Sequence, residues 1–209
     1  MSTSNQKITI KMVICGEIGV GKTCLYTRIN NLEYNPEPQT TSNDYQRKTI
    51  KKGNKTINIE FWDTAGQEKY YSLNRIFFKD AKIAIIVYDI TRRKTFEKLK
   101  DFWINEIKSH SKDLSIIGIA ANKSDLYGEE EVNEEEARNF AVSVGALFKL
   151  CSALNNEGIN ELVDELVDKF LDSVYNIKKD DLNENTKQNE VQKEFKLNGN
   201  YTKKDKKCC

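Results

Sequence analysis

Apolar runs alternate with helical patterns along this chain, which predicts strands and helices in turn. Short apolar runs bounded by polar residues are typical of strands. Lys52-Gly53-Asn54 joins two segments that look like strands and is a hairpin signal. Six strands are predicted, at Ile8 to Ile14, Asp44 to Lys51, Lys55 to Trp62, Ile83 to Asp89, Ser115 to Ala121 and Ala146 to Cys151.

Helical periodicity fills the intervals between these runs. Phe96, Leu99, Trp103 and Ile107 recur at helical spacing, which indicates a packing face. Asn133 with Glu136 resembles a capping box at a helix start. Further helices are predicted at Cys24 to Asn31, Gln67 to Asp80 and about Asn156 to Tyr175.

This alternation predicts an α/β fold with three layers: a six-stranded, mostly parallel sheet with helices on both faces. The ligand of such a sheet binds at the carboxyl ends of the strands. From Asn176 the composition becomes rich in Lys, Asn, Glu and Asp, with few apolar residues. We therefore predict a folded domain over residues 1–175 and a disordered tether over residues 176–209.

Composition excludes several classes of function. The chain has 209 residues and a formal net charge of +1, so its overall charge gives no case for binding nucleic acid. Its five cysteines are scattered, which indicates neither a disulfide framework nor a zinc site. A reducing compartment is therefore expected.

The segment Gly16-Glu17-Ile18-Gly19-Val20-Gly21-Lys22-Thr23 fits the phosphate-binding pattern G-x-x-x-x-G-K-[ST] at every specified position. It lies between a predicted strand and a predicted helix, where loop N–H groups and the positive end of the helix bind phosphate oxygens. Lys22 supplies a charge for the β- and γ-phosphates. Thr23 supplies a hydroxyl for Mg²⁺.

Three further polar segments follow predicted strands at the same edge: Asp63 to Gln67, Asn122 to Asp125, and Ser152-Ala153. A carboxylate at Asp125 accepts both the N1–H and the 2-amino hydrogens of guanine. Adenine lacks that pair of donors, so the sequence favours GTP over ATP.

These motifs, in this order, resemble those of the Ras-like small GTPases over roughly Lys7 to Tyr175, and within them the Rab branch. The block Ile86 to Thr91, the block Trp62 to Glu68 and the terminal Cys208-Cys209 carry the Rab resemblance. The resemblance implies the P-loop NTPase fold and a switch that hydrolyses GTP to GDP.

The resemblance also implies roles for single residues. Thr23 and Thr40 would ligate Mg²⁺, and Asp63 would touch it through water. The Gly66 amide would sense the γ-phosphate, and Gln67 would orient the attacking water as the catalytic residue. The expected nucleotide-binding residues are Gly16, Glu17, Ile18, Gly19, Val20, Gly21, Lys22, Thr23, Cys24, Tyr34, Thr40, Asp63, Gly66, Asn122, Lys123, Asp125, Ser152 and Ala153.

Membership of this family would bring partners and a location. An exchange factor, a GTPase-activating protein, a GDP-dissociation inhibitor, an escort protein and effectors are expected. Tyr45, Trp62 and Phe77 occupy positions of an aromatic triad that effectors bind, although ordinary core packing is the alternative. Geranylgeranyl groups on Cys208 and Cys209 would anchor the chain to the cytoplasmic face of an endomembrane or the plasma membrane, from which it cycles to the cytosol.

Ile18 departs from the family pattern, which usually has a small residue at this place. A branched side chain there would crowd an arginine supplied by an activating protein, so we expect slow, poorly stimulated hydrolysis. Two functions follow: a prenylated GTPase switch in vesicle traffic, or a GTP-locked scaffold that recruits effectors and barely hydrolyses. A metabolic P-loop kinase is disfavoured, because no acceptor site or lid arginines are found.

Overall fold

The computed structural model describes residues 7–32, 35, 45–53, 55–63, 77–111 and 116–174. The chain divides into two compact units, Met1–Phe170 and Leu171–Cys209, and the described part of the second unit is residues 171–174. The boundary between a folded domain of residues 1–175 and a tether of residues 176–209 stays a prediction.

Among the described residues, six strands form one sheet, as predicted. The order across the sheet is β2-β3-β1-β4-β5-β6. Neighbouring strands are parallel except β2 and β3, which form the predicted antiparallel hairpin. The strands are β1 Lys7–Gly16, β2 Tyr45–Lys52, β3 Lys55–Asp63, β4 Ile83–Asp89, β5 Ile116–Asn122 and β6 Leu147–Cys151.

Four helices of the described chain flank this sheet. α1 is Lys22–Ile29, and α3 is Glu134–Ser143. α2 begins at Arg93–Lys98, continues through a π-helical turn at Leu99–Trp103 and ends at Ile104–His110. The fourth helix, α4, comprises residues 159–174.

The helices bury both faces of the central strands. α2 and α3 contribute to a core cluster that includes Val13 and Ile86 of the sheet. On the opposite face, a Cβ at Gly118 of β5 would lie 2.8 Å from Leu166 Cδ1, so α4 packs closely there. Every residue of β4 and β5 is buried, as is typical of parallel strands covered on both sides.

The π-helical turn is a feature of α2 that the apolar spacing did not predict. Phe96, Leu99, Trp103 and Ile107 are all buried, so the predicted packing face is confirmed. At the end of the π turn, the Ile104 N–H donates to the Leu99 carbonyl. Such turns are frequent at functional sites.

Two predicted helix features have mixed outcomes. Asn133 Oδ1 accepts hydrogen bonds from the Glu135 and Glu136 amides at 2.8 and 3.3 Å, which confirms the cap. The Glu136 carboxylate is ion-paired with Arg93 at 2.5 Å instead of completing the capping box. Most of the predicted helix at Gln67 to Asp80 lies outside the described residues.

Replacing the cap residue tests this helix start. Asn133→Ala removes the acceptor for two amides, so we expect the free energy of unfolding to fall by about 1 kcal/mol. Asn133→Ser restores an acceptor and should recover most of that loss. Chemical denaturation of both variants measures the difference, and equal stability of the alanine variant and the wild type would contradict the assignment.

Candidate functional site

The phosphate loop joins β1 to α1 at the carboxyl end of the sheet, where the sequence predicted it. Two of its glycines leave no room for a side chain. A Cβ at Gly16 would lie 2.2 Å from the Val87 carbonyl oxygen, and one at Gly21 would lie 2.4 Å from Asn122 Nδ2. The loop backbone is therefore pressed against β4 and against the end of β5.

The Lys22 side chain is hydrogen-bonded to the backbone of the phosphate loop. It is buried, and Nζ donates to the carbonyl oxygens of Gly16 at 3.0 Å and Glu17 at 2.8 Å. This ammonium group lies at the start of α1, where the helix dipole is also positive. Together they form the charge pattern of a phosphate site.

A side chain of α2 makes a second contact with the phosphate loop. Trp103, in the π-helical turn of α2, donates its indole N–H to Glu17 Oε1 at 3.1 Å. The sequence placed Trp103 on a packing face only. Its spacing carried no signal for this polar contact, because the contact joins two residues that are distant in sequence.

Asn122 ties the phosphate loop to the loop after β6. Its Nδ2 donates to the Val20 carbonyl at 2.7 Å, and its Oδ1 accepts from the Ala153 amide at 3.2 Å. Arg28 of α1 donates to the carbonyl oxygens of Ala153 at 2.8 Å and Leu154 at 2.7 Å. The structure thus brings three of the predicted segments together.

Asp125 lies beside this clamp. Its Oδ1 accepts a hydrogen bond from the Ser152 hydroxyl at 2.5 Å. Ser152 is fully buried, and its Oγ also accepts from the Asn155 amide at 3.0 Å. The structure therefore places Ser152 behind Asp125, where it orients the carboxylate.

The buried carboxylate of Asp89 is the centre of a further network. The sequence did not predict Asp89 as a site residue. The Asp89 side chain is 1% exposed, and Lys123 Nζ lies 2.6 Å from its Oδ2. Thr91 donates to Oδ1 through its amide at 3.0 Å and its hydroxyl at 2.7 Å. Arg92 Nε donates to Oδ2 at 2.8 Å.

This network reaches the phosphate loop. Arg92 uses Nε for Asp89, and its Nη2 donates to the Ile18 carbonyl at 3.1 Å. Burial by itself opposes ionisation of Asp89. Hydrogen bonds, led by that from Lys123, outweigh this effect, and the pKa of Asp89 lies below its ordinary value.

The sequence did contain a signal for this network. Asp89 is a carboxylate at the end of an otherwise apolar strand, on the edge where ligands bind. The sequence assigns the block Ile86 to Thr91 only to the family resemblance, and Lys123 only to the expected nucleotide-binding residues.

Two of the expected Mg²⁺ ligands are described. Asp63 ends β3 beside Ile14 of β1 and is 3% exposed, and Thr23 is the second residue of α1. A hydroxyl and a carboxylate are hard oxygen donors of the kind that Mg²⁺ prefers when phosphates supply its other ligands. The donor set therefore fits Mg²⁺.

Several expected site residues lie outside the described residues, and their roles stay predictions. They are Tyr34, Thr40, Gly66 and Gln67 of the nucleotide site and Cys208 and Cys209 of the expected lipid anchor. Cys24 is described: it is partly buried, and its thiol lies 3.7 Å from the Asn35 carbonyl oxygen.

The three expected effector residues lie together in the structure. The rings of Tyr45 and Trp62 are 5.1 Å apart, and those of Trp62 and Phe77 are 6.5 Å apart. Tyr45 is 40% exposed, so this aromatic cluster is open to solvent at its β2 end. Whether effectors bind there stays a prediction.

Comparison with known proteins decides the family. The sequence model of the Ras family matches residues 11–172. The chain is 39% identical over 153 residues to a putative ras-related protein Rab-5B of Dictyostelium discoideum, covering 73% of this chain and 71% of that protein. It is 39% identical over 155 residues to human Ras-related protein Rab-21, covering 74% and 68%. It is 36% identical over 154 residues to human Ras-related protein Rab-22A, covering 73% and 79%.

The chain belongs to the Ras family. It is a small GTPase of the Rab type, and the expected α/β fold with a mostly parallel six-stranded sheet is confirmed. The alternative of a scaffold that barely hydrolyses GTP gains no support from these relatives. Among its described helices, none has the length and apolar character needed to cross a membrane.

Removing the buried charge of this small GTPase tests the Asp89 network. Asp89→Asn leaves Lys123 and Arg92 without their shared carboxylate. We expect a loss of about 2 kcal/mol in folding free energy at pH 7, because both cations are partly exposed. GDP release should also accelerate, since Lys123 loses its position.

The pH dependence of this effect has a defined sign. A carboxyl group whose pKa is lowered in the folded state stabilises it fully above its ordinary pKa near 4. That stabilisation is lost as the pH falls through the lowered pKa, so the difference between wild type and Asp89→Asn should shrink below about pH 4. Urea unfolding across pH measures it. Asp101→Asn, an exposed change on α2, is the control, and a matching loss in that variant would contradict the network.

Proposed function

We propose that this chain is a membrane-anchored guanine-nucleotide switch that acts in vesicle traffic. The observation that carries this proposal is the convergence of Lys22, Asn122 and Asp125 at one edge of the sheet. A phosphate loop alone fits many nucleotides. The adjoining Asp125 carboxylate adds the double acceptor that guanine requires.

Each end of the nucleotide has its own binding groups. The loop amides and Lys22 would bind the β- and γ-phosphates, and the Ala153 amide would donate to the guanine oxygen. Tyr34 would pack on the edge of the base. Mg²⁺, held by the hydroxyls of Thr23 and Thr40 and through water by Asp63, would neutralise charge on the phosphates.

Hydrolysis then follows from positioning. Gln67 would orient a water molecule whose oxygen bonds to the γ-phosphorus as the bond to the β-phosphate oxygen breaks. GDP and inorganic phosphate are the products. Loss of the γ-phosphate would release the loops that contain Thr40 and Gly66 and so change the partner that the protein binds.

The tail supports the membrane part of the proposal. Geranylgeranyl groups on Cys208 and Cys209 would provide two lipid chains, which is what stable anchoring requires. Four lysines between Lys203 and Lys207 would add about 1 kcal/mol each near an anionic surface. The exchange factor, the activating protein, the GDP-dissociation inhibitor, the escort protein and the effectors would act on this anchored switch.

A change of base preference tests the proposed guanine contact. Asp125→Asn replaces one acceptor oxygen by an N–H donor, so GDP affinity should fall by at least about 100-fold. Xanthine carries a carbonyl in place of the 2-amino group, so the variant should bind XDP better than the wild type does. Ser152→Ala removes only the orienting hydroxyl and should weaken GDP without gaining XDP. A wild-type preference in Asp125→Asn, measured by competition, would overturn the assignment.

Ile18 tests how fast the switch turns off. Its side chain is 50% exposed on the phosphate loop, where it would meet an incoming arginine. We expect Ile18→Ser to raise the ratio of activator-stimulated to unstimulated hydrolysis by at least about tenfold, while Ile18→Val keeps the branch and stays slow. Single-turnover assays measure the ratio, and an unchanged ratio in the serine variant would contradict this role of Ile18.

A further inference from the structure

One face of the β1, β2 and β3 part of the sheet carries a regular pattern of cations. Strand register aligns Lys51, Thr56 and Lys7 in one row. A second row, four residues along, aligns Arg47, Glu60 and Lys11. Side chains at paired positions, and at even spacings along a strand, share one face of a sheet. We call these two rows, with the neutral row between them, the basic face.

Side-chain contacts confirm that the rows share a face. Thr49 of the intermediate row donates to Asn58 Oδ1 at 2.9 Å. Arg47 Nη2 lies 2.6 Å from Glu60 Oε1 in the second row. The register therefore describes the side chains as well as the backbone.

The β2 edge of the basic face is open to solvent, whereas Asn58 at its centre is buried. Along β2, the residues of this face are exposed, whereas Lys48, Ile50 and Lys52 on the other face are partly covered. Lys48 Nζ donates to the Ile29 carbonyl of α1 at 2.7 Å. α2 and α3 lie on the same side of the sheet as the basic face, but their core cluster takes only Val13 and Cys15 from β1.

Opposite charges do not balance this face. Glu60 is its one carboxylate and is shared by Arg47 and the Tyr45 hydroxyl, at 2.6 and 3.1 Å. Lys11 donates to the Lys79 carbonyl at 2.8 Å. For Lys7 and Lys51, the described residues offer no carboxylate within ion-pair distance. Three cations, Lys7, Arg47 and Lys51, thus face solvent. Lys11 is partly buried and is attracted by Asp80 as well as by Glu60.

The size of the face limits what it can do alone. Strands about 4.8 Å apart and rows about 6.7 Å apart give a surface of roughly 10 by 13 Å. A stable interface buries about 800 Å² on each partner, so a larger surface is needed. The aromatic cluster continues the surface directly, because Tyr45 and Trp62 are the next pair on the same face of the hairpin beyond Arg47 and Glu60.

We propose that the basic face docks an acidic segment of a partner protein whose apolar side chain packs on the aromatic cluster. This inference rests on the proposed switch, which makes the aromatic cluster an effector surface. An acidic protein segment is favoured over an anionic lipid surface because the Arg47 and Glu60 end of the basic face continues into aromatic rings that lipid headgroups do not need. Charge complementarity of this kind speeds association and sets the register of the partner.

The opposite face of the same hairpin supplies a matched control. Lys52 and Lys55 form the pair next to Lys51 and Thr56 in the hairpin. Because successive side chains alternate between the two faces of a strand, Lys52 and Lys55 lie on the covered face. Lys52 is ion-paired with Asp164 and Asp168 of α4 at 3.3 and 3.1 Å. Removing two charges from either face changes the net charge equally.

The probe is a synthetic peptide with a Leu anchor followed by a run of glutamates, and its counterpart with glutamines. Lys7→Gln with Lys51→Gln should weaken binding of the glutamate peptide about fivefold at low salt, and added salt should remove the difference. Lys52→Gln with Lys55→Gln should change it less than about twofold. Fluorescence anisotropy measures binding, and thermal melts confirm that both double variants are folded.

Three results would overturn the docking face: an equal loss in both double variants, no loss in either, or equal binding of the two peptides. Loss of binding to phosphatidylserine vesicles in the Lys7 and Lys51 variant, with no effect on the peptide, would identify a lipid surface instead. The assays are run with GDP and with a GTP analogue. If the difference between the two double variants is present in both nucleotide states, the docking face is supported even when the affinity for the peptide does not depend on the bound nucleotide. Failure of the docking face can therefore be distinguished from failure of the proposed switch.

Discussion

The alignment of parallel strands at their carboxyl ends is the constraint on which the site depends. Asp89, Asn122 and Cys151 are paired across β4, β5 and β6, and Gly16 is paired with Val87. The loops that follow these strands therefore leave the sheet side by side. A slip of one residue would turn every one of these side chains to the other face, so the register fixes the chemistry as well as the fold.

The buried Asp89 carboxylate turns this alignment into a mechanical link. An ion taken out of water costs several kcal/mol unless other groups compensate, and here Lys123, Arg92 and Thr91 all donate to it. Lys123 belongs to the segment expected to bind the base, and Arg92 continues to the Ile18 carbonyl of the phosphate loop. One carboxylate therefore joins the segment expected to bind the base to the phosphate loop, and the unusual Ile18 lies at the end of that path.

Sequence patterns predicted the parts of this structure that depend on local rules. Apolar runs and a hairpin signal located every described strand, helical spacing located the buried face of α2, and the glycine and lysine pattern located the phosphate loop. The contact of Asp89 with Lys123 and that of Trp103 with Glu17 were missed because each joins residues distant in sequence. The basic face was missed for the same reason: Lys7 and Lys51 become neighbours only when β3 is inserted between their strands.

The uncovered part of the sheet has a different role from the helix-covered part. Its cations stand on hydrogen-bonded strands, so their spacing is fixed by the sheet and cannot itself report which nucleotide is bound. Tyr45 and Trp62 stand at the ends of β2 and β3 that adjoin, in sequence, the segments containing Thr40 and Gly66. A partner that spans both surfaces would thus gain a constant electrostatic contact from the lysines and a contact at the aromatic end that depends on those segments. Such a division gives the lysines control of the association rate and leaves recognition of the nucleotide state to the aromatic end.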